Sequence, residues 1–267
     1  MSEALREKMW LWGHPEGIFN HKCGNGGESR MTPAEACLYL GVRNVFMVPM
    51  DIEVNRRQYN KSFTTFRNVG WETFAATREL SVLDGVASMR EEFPNVTAVV
   101  YDDFKRTGLT DFDYHREIPL ENLKKAHERL HRDPENQLDM WMVLYTHEFG
   151  TDEAEDNTFM KYIEPFDGVI MWTWKESDVP LIPEKFEIFK RMTPKQRRMF
   201  GCYLWNFGED REATRKAVLW QLDFYLERIR RGEAEGIVLH TNTMADLDYD
   251  AYDAAREWME SHGDELI

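Results

Sequence analysis

Cysteine is scarce in this chain. Cys23, Cys37 and Cys202 make an odd number with no CxxC spacing, which argues against a disulfide framework and against a zinc knuckle. No apolar run approaches the roughly 20 residues of a membrane span. The opening stretch MSEALREKMWLWGHPEG lacks the apolar centre of a signal peptide. The expectation is a soluble protein, either cytoplasmic or secreted with a leader outside this sequence. Basic residues are also short, with 33 Lys and Arg against 48 Asp and Glu and a formal net charge of −15. So acidic a surface repels phosphate backbones and anionic lipid, so neither nucleic acid nor a membrane is the expected partner. No low-complexity stretch or Pro/Gly/Ser-rich linker divides the 267 residues, and one domain over 1–267 is expected.

Aromatic residues are plentiful, with nine Trp, ten Tyr and sixteen Phe. Such side chains serve either a large core or a cleft that stacks flat, apolar faces of a polar ligand. Position along the fold decides between the two. Short apolar runs alternate with longer amphipathic segments. Eight runs read as strands: Lys8 to Gly13, Asn44 to Met50, Phe66 to Glu72, Val96 to Asp103, Leu138 to Tyr145, Gly168 to Trp174, Met199 to Trp205 and Gly236 to Asn242. Helices fit between them. Thr32-Pro33 is a cap with proline at the first helical position, and Gly41 sits where a C-terminal glycine belongs. Further helices are expected from Thr77 to Phe93, Leu120 to Arg132, Asn157 to Ile163, Pro183 to Met192, Arg211 to Arg231 and Tyr249 to His262. Eight strands alternating with helices specify a parallel sheet, and the count of eight predicts an α/β fold closed as a (β/α)8 TIM barrel.

In such a barrel the active site lies at the C-terminal ends of the strands. The apolar run AVV turns abruptly into Tyr101-Asp102-Asp103 at the end of strand four. Two carboxylates at the end of a buried strand are costly without a purpose. Strand parity puts Asp102 and Asp103 on opposite sides, so one is expected in the barrel mouth. Glu148 after strand five and Glu176 after strand six are the candidate second carboxylates. A carboxylate pair is the minimum for glycoside hydrolysis, one as acid and one as nucleophile or base. Trp172 with Trp174, and Tyr203 with Trp205, are each two apart and face one way, as a wall for sugar CH faces or as packing under helices. His14, His147 and His240 also fall at strand ends. With an aspartate they have the makings of a divalent-metal site. The same histidines, with Asn242, suit hydrogen bonds to hydroxyls. His21, His115, His127, His131 and His262 read as surface or loop residues. The Gly-rich segment His21 to Arg30 matches no phosphate-binding pattern and reads as a first loop at the barrel mouth. Asp51 to Ser62, with Arg56, Arg57 and Lys61, reads as a second long loop, either solvated or placed to cover the site or meet an acidic substituent.

The eight-unit pattern, Tyr101-Asp102-Asp103-Phe104, and the tryptophans ending strands six and seven resemble barrel-type glycoside hydrolases. Many of these carry a catalytic acid at the end of strand four, where Asp102 and Asp103 stand. The Asn-Glu pair on strand four and the lone Glu on strand seven of the largest retaining clan are missing, since strand seven ends in Trp205-Asn206-Phe207 with Glu209 further out. The resemblance implies a carbohydrate substrate hydrolysed by Asp102 or Asp103 with Glu148 or Glu176, with no cofactor and no metal. Tyr101, Trp172, Trp174, Tyr203, Trp205, His14, His147, His240 and Asn242 would bind the sugar. Two other classes stay open: a metal-dependent barrel hydrolase or sugar isomerase using the strand-end histidines, and a non-catalytic carbohydrate-binding barrel.

Overall fold

The computed structural model describes residues 2–50, 52–73, 79–105 and 119–267. Asp51, Thr77 and His115, named above, lie outside them. Eight parallel strands close into a barrel: β1 (Met9–Gly13), β2 (Asn44–Met47), β3 (Asn68–Glu72), β4 (Val96–Tyr101), β5 (Asp139–Tyr145), β6 (Gly168–Trp172), β7 (Arg197–Tyr203) and β8 (Gly236–His240). Closure comes from β1 lying beside β8, with Met9 opposite Ile237 and Trp12 opposite His240. The helices are α1 (Pro33–Leu40), α2 (Arg56–Asn60), α3 (Ser81–Glu92), α4 (Leu120–Leu130), α5 (Glu153–Ile163), α6 (Ile182–Met192), α7 (Arg215–Arg230) and α8 (Asp250–His262). Among the described residues no helix is long and apolar enough to cross a membrane.

Local chemistry accounts for the element ends. Thr32 and Glu35 form a reciprocal capping box at the start of α1, and Gly41 ends the helix in the left-handed conformation at φ 71°. The α5 helix begins at Glu153, four residues before the expected Asn157, because Asp152 accepts from the backbone N–H groups of Ala154 and Glu155. Its acidic first turn suits the positive end of the helix dipole. The α7 helix starts at Arg215 and not Arg211, since Arg211–Glu212 pair with Trp205–Asn206 as a short antiparallel hairpin. The stretch expected as a long loop before β3 contains α2, capped by Asn55. Its basic residues are engaged there: Arg56 donates to the Glu72 carbonyl, and Arg57 pairs with Glu92.

Large rings fill the barrel interior. Trp10 stacks on Phe46 at 4.3 Å, Phe46 reaches Trp141 of β5, and Trp12 meets Trp172 edge-on at 5.5 Å across the barrel. A second aromatic layer lies outside the strands. There Tyr101 packs on Phe104 and Phe166, and Phe200 stacks on Tyr225 of α7. Rings this wide fit only where the neighbouring strand has no side chain. A Cβ on Gly168 would come within 2.2 Å of the Trp141 indole, and one on Gly201 within 1.9 Å of the Trp172 indole.

Gly201→Ala is therefore expected to lower stability by about 3 kcal/mol, the upper range for overpacking. Gly85→Ala in α3, where an added Cβ meets nothing within 4 Å, should instead be neutral or raise stability by up to about 1 kcal/mol. Urea unfolding of the two variants checks this, and equal midpoints would contradict the packing argument.

Candidate active site

A cavity of about 360 Å³ opens at the C-terminal ends of the strands. Its walls carry Trp12, His14, Phe19, Met50, Tyr145, Trp172, Trp174, Tyr203, Phe207 and His240, and its acids are Asp102, Asp103 and Glu148. His147 and Cys23 complete it.

The strand-four acids both reach the cavity, against the parity expectation of one. The strand ends at Tyr101, so alternation stops there, and Asp103 adopts a left-handed φ of 47°. Asp102 Oδ1 accepts from the Asp103 backbone N–H at 2.9 Å and so holds the turn. Tyr145, the last residue of β5, ties two acids together. Its hydroxyl donates to Asp103 Oδ1 at 3.0 Å, and its backbone N–H donates to Glu148 Oε2 at 2.9 Å. The Tyr203 hydroxyl donates in turn to the Tyr145 oxygen at 3.5 Å. Burial, with the nearby aspartate charge, pushes the Tyr145 and Tyr203 phenols well above the usual tyrosine range, so both keep their protons as donors. Glu148 is only 4% exposed. Beneath it the wholly buried Lys105 donates to its carbonyl at 2.7 Å and pairs with Glu155 at 3.0 Å, anchoring the loop after β5.

A histidine pair closes the other side. His14 Nδ1 lies 2.7 Å from the Val48 carbonyl and its Nε2 lies 3.2 Å from His240 Nε2. A carbonyl only accepts, so His14 carries its proton on Nδ1 and accepts at Nε2 from His240. That leaves His240 Nδ1 as an acceptor with no hydrogen-bond partner among the described residues. Burial lowers the His14 pKa to about 4, and burial with the neighbouring His14 holds His240 well below the ordinary value. His147 stacks on Tyr145 at 5.4 Å, and burial lowers its pKa too.

Four expected site residues lie elsewhere. Glu176 turns outward and accepts from the Thr214 N–H and hydroxyl at 2.7 and 3.1 Å, where it caps α7. Tyr101 faces the helices, because it alternates with the inward residues of β4. Trp205 follows the turn into the hairpin, which breaks its parity with Tyr203. Its indole N–H donates to the Cys23 carbonyl, and its ring packs on Tyr249. Asn242 is buried behind the cavity, where it accepts from the His14 N–H and donates to the His14 and Met31 carbonyls. His14, His147 and His240 do not form a metal-sized cluster. Among the described residues the one group of three such side chains is His127, His131 and Asp167, at the opposite end of the barrel. Trp12, Phe19, Met50, Tyr145 and Phe207 line the cavity without having been singled out as site residues. Parity is the signal that could have found Trp12 and Tyr145, which stand two residues before His14 and His147. Phe19, in the first loop, carried no such signal. That loop is pinned: Asn25 donates to the Phe19 carbonyl and accepts from the Tyr249 hydroxyl.

No protein-family model matches the sequence. No curated protein matches it either. The fold is similar to several solved barrels. Active domain 2 of chitinase from Pyrococcus furiosus is 10% identical, with 98% of each chain covered and a TM-score of 0.62. A psychrophilic family 10 endo-beta-1,4-xylanase is 12% identical over 94% of this chain and 96% of that one, at 0.54. A xylose isomerase domain containing protein from Salmonella typhimurium is 10% identical over 97% of each, at 0.51. The chain shares the (β/α)8 barrel of proteins that are mostly glycoside hydrolases, with an isomerase-domain barrel among them.

The neutral histidine pair makes stability depend on pH. The unfolded chain protonates His14 near its ordinary value of 6.5, while the folded chain refuses the proton until about pH 4. Stability from this group is full above the ordinary value and falls as pH drops through that window, by roughly 3 kcal/mol in all. His14→Gln should flatten the slope between pH 6.5 and 4 by about that amount. Chemical denaturation at a series of pH values reads it, and identical slopes would contradict a neutral, buried His14.

Proposed function

We propose that this barrel binds carbohydrate in the C-terminal cavity and hydrolyses a glycosidic bond there, with Asp103 and Glu148 as the carboxylate pair. One observation carries the reading: a single residue, Tyr145, holds both acids, Asp103 through its hydroxyl and Glu148 through its backbone N–H, inside an aromatic cavity.

Hydrolysis of a glycoside needs a proton delivered to the leaving oxygen and a carboxylate facing the anomeric carbon. Asp103, oriented by the Tyr145–Tyr203 hydroxyl chain, acts as nucleophile or base. Glu148, withdrawn from water, delivers the proton. Asp102 shapes the turn that presents Asp103. Trp172, Trp174 and Tyr203 offer flat faces to sugar CH groups, His147, neutral near pH 7, suits a hydroxyl group, and the mutually bonded His14–His240 pair walls the cavity. The similar barrels act mostly on glycosidic bonds by their names, which agrees with this assignment.

The assay uses aryl glycosides together with chito-, xylo- and cello-oligosaccharides. Asp103→Asn and Glu148→Gln should each lower kcat/KM on the order of 10³-fold while sugar affinity changes little. Tyr145→Phe should lower kcat by about ten- to a hundredfold with KM nearly unchanged, as expected of a positioning residue. Full activity in Asp103→Asn would overturn the assignment. Sugar binding by the unaltered protein with no turnover of any substrate would leave a binding barrel instead.

A further inference from the structure

The end of the barrel away from the cavity carries a second cluster that the proposed reaction does not use. His127 in the last turn of α4 and His131 just after it are one helical turn apart, and their rings stack at 4.0 Å. Asp167, immediately before β6, faces both. Its Oδ1 lies 3.4 Å from His127 Nε2 and 3.3 Å from His131 Nε2. The geometry points to a divalent-cation site of the zinc class, with His127 Nε2, His131 Nε2 and Asp167 Oδ1 as ligands.

Three features support it. First, the two edges from Asp167 fit. With Zn–N and Zn–O bonds of about 2.0–2.2 Å, tetrahedral ligands stand about 3.3–3.5 Å apart along each edge. The two distances from Asp167 match that edge, and all three ligand atoms lie within 4.8 Å of one another. Second, the outer atoms are already fixed. His131 Nδ1 lies 2.9 Å from the His127 carbonyl, so it carries the proton and leaves the Nε2 lone pair facing Asp167. Asp167 Oδ2 accepts from the Met140 N–H at 2.7 Å, so Oδ1 alone is turned to the imidazoles. Partners of this kind on the remote atoms orient metal ligands. Third, His131 with its proton on Nδ1 turns an Nε2 lone pair toward the Asp167 oxygen, a repulsive contact that a cation between them, a metal ion or a proton, relieves. Arg197, whose charge also feels Asp167, has its ion pairs with Asp139 and Glu235 at 2.6 and 3.3 Å.

Two imidazoles and one carboxylate prefer zinc, cobalt or nickel to calcium or magnesium. The side chains are 21–37% exposed, which leaves water to supply the fourth position. A bound ion would tie the end of α4 to the start of β6, on the face opposite the cavity, so its role is to brace the barrel.

The test uses the whole protein, stripped with EDTA and then titrated with Zn²⁺ or Co²⁺. One equivalent should bind, and Co²⁺ should give the visible absorption of a tetrahedral site. Zn²⁺ at a hundredfold excess over its dissociation constant should raise Tm by roughly 5 °C. His131→Ala should abolish the cobalt spectrum and the Tm shift, and Asp167→Asn should weaken binding at least tenfold, both with turnover of sugar substrates unchanged. No cobalt spectrum in the unaltered protein, or an equal Tm shift in His131→Ala, would show that only a proton bridges these groups and would overturn the site. Because the readouts are binding and spectra, failure here is distinct from failure of the glycosidase assignment.

Discussion

The upper half of this barrel is organised around one contact, the Trp172 indole lying against Gly201 of the next strand. The indole there occupies the space that a side chain on residue 201 would take in the barrel layer. It meets Trp12 from across the barrel, Tyr203 at 4.7 Å and His240 at 5.9 Å. Those four residues are also the floor of the cavity. Packing and site geometry are therefore one problem. The glycine sets the height of the tryptophan, and the tryptophan sets where Tyr203 and His240 stand.

From that floor the polar groups are placed by backbone as much as by side chain. Tyr145 reaches Asp103 with its hydroxyl, but it holds Glu148 with its peptide N–H. His14 is fixed by the Val48 carbonyl on one side and by Asn242 on its own backbone. Peptide groups at strand ends move only if the barrel moves, so charged and neutral groups stay in register without flexible intermediaries. The acids sit on β4 and β5 and the neutral histidine pair on β1 and β8. One side of the cavity is thus acidic, while the other offers uncharged imidazoles. That asymmetry agrees with the proposed sugar substrate.

Much of the architecture is legible in the sequence, because the barrel imposes a regular alternation of short apolar runs with amphipathic helices. All eight strands fall where that alternation puts them. Two of the misreadings come from capping chemistry, and the late start of α7 from the hairpin before it. Asp152 starts α5 early, and Glu176, read as a cavity carboxylate, spends both oxygens on Thr214 at the start of α7. A carboxylate that caps a helix and one that faces a cleft look alike in sequence, since the distinction depends on a partner 38 residues away. Past the strand ends, parity reasoning held at β6 and failed at β4 and β7. It grouped Trp172 with Trp174 rightly, yet it lost Trp205 to the hairpin and missed that Asp102 and Asp103 both reach the mouth once the chain leaves β4. The histidines were legible as strand-end residues. That His14 and His240 bond to each other required barrel closure, which brings together residues 226 apart.

The same dependence on closure explains why the two histidine clusters differ. At the C-terminal face, His14 and His240 come from strands that meet only when the barrel shuts, and burial there keeps them neutral. Each takes the other as its hydrogen-bond partner, so no carboxylate is needed between them. At the opposite face, His127 and His131 share one helix, and i,i+4 spacing alone sets their rings side by side. Only Asp167 arrives from elsewhere, carried on the turn into β6, where its backbone is hydrogen-bonded to Met140 on one side and Arg197 on the other. There the His131 Nε2 lone pair is held against a carboxylate oxygen, a contact that a cation between them relieves. A histidine facing a histidine can settle the matter with a single shared proton. That contrast is the basis of the cation site proposed at the far end of the barrel.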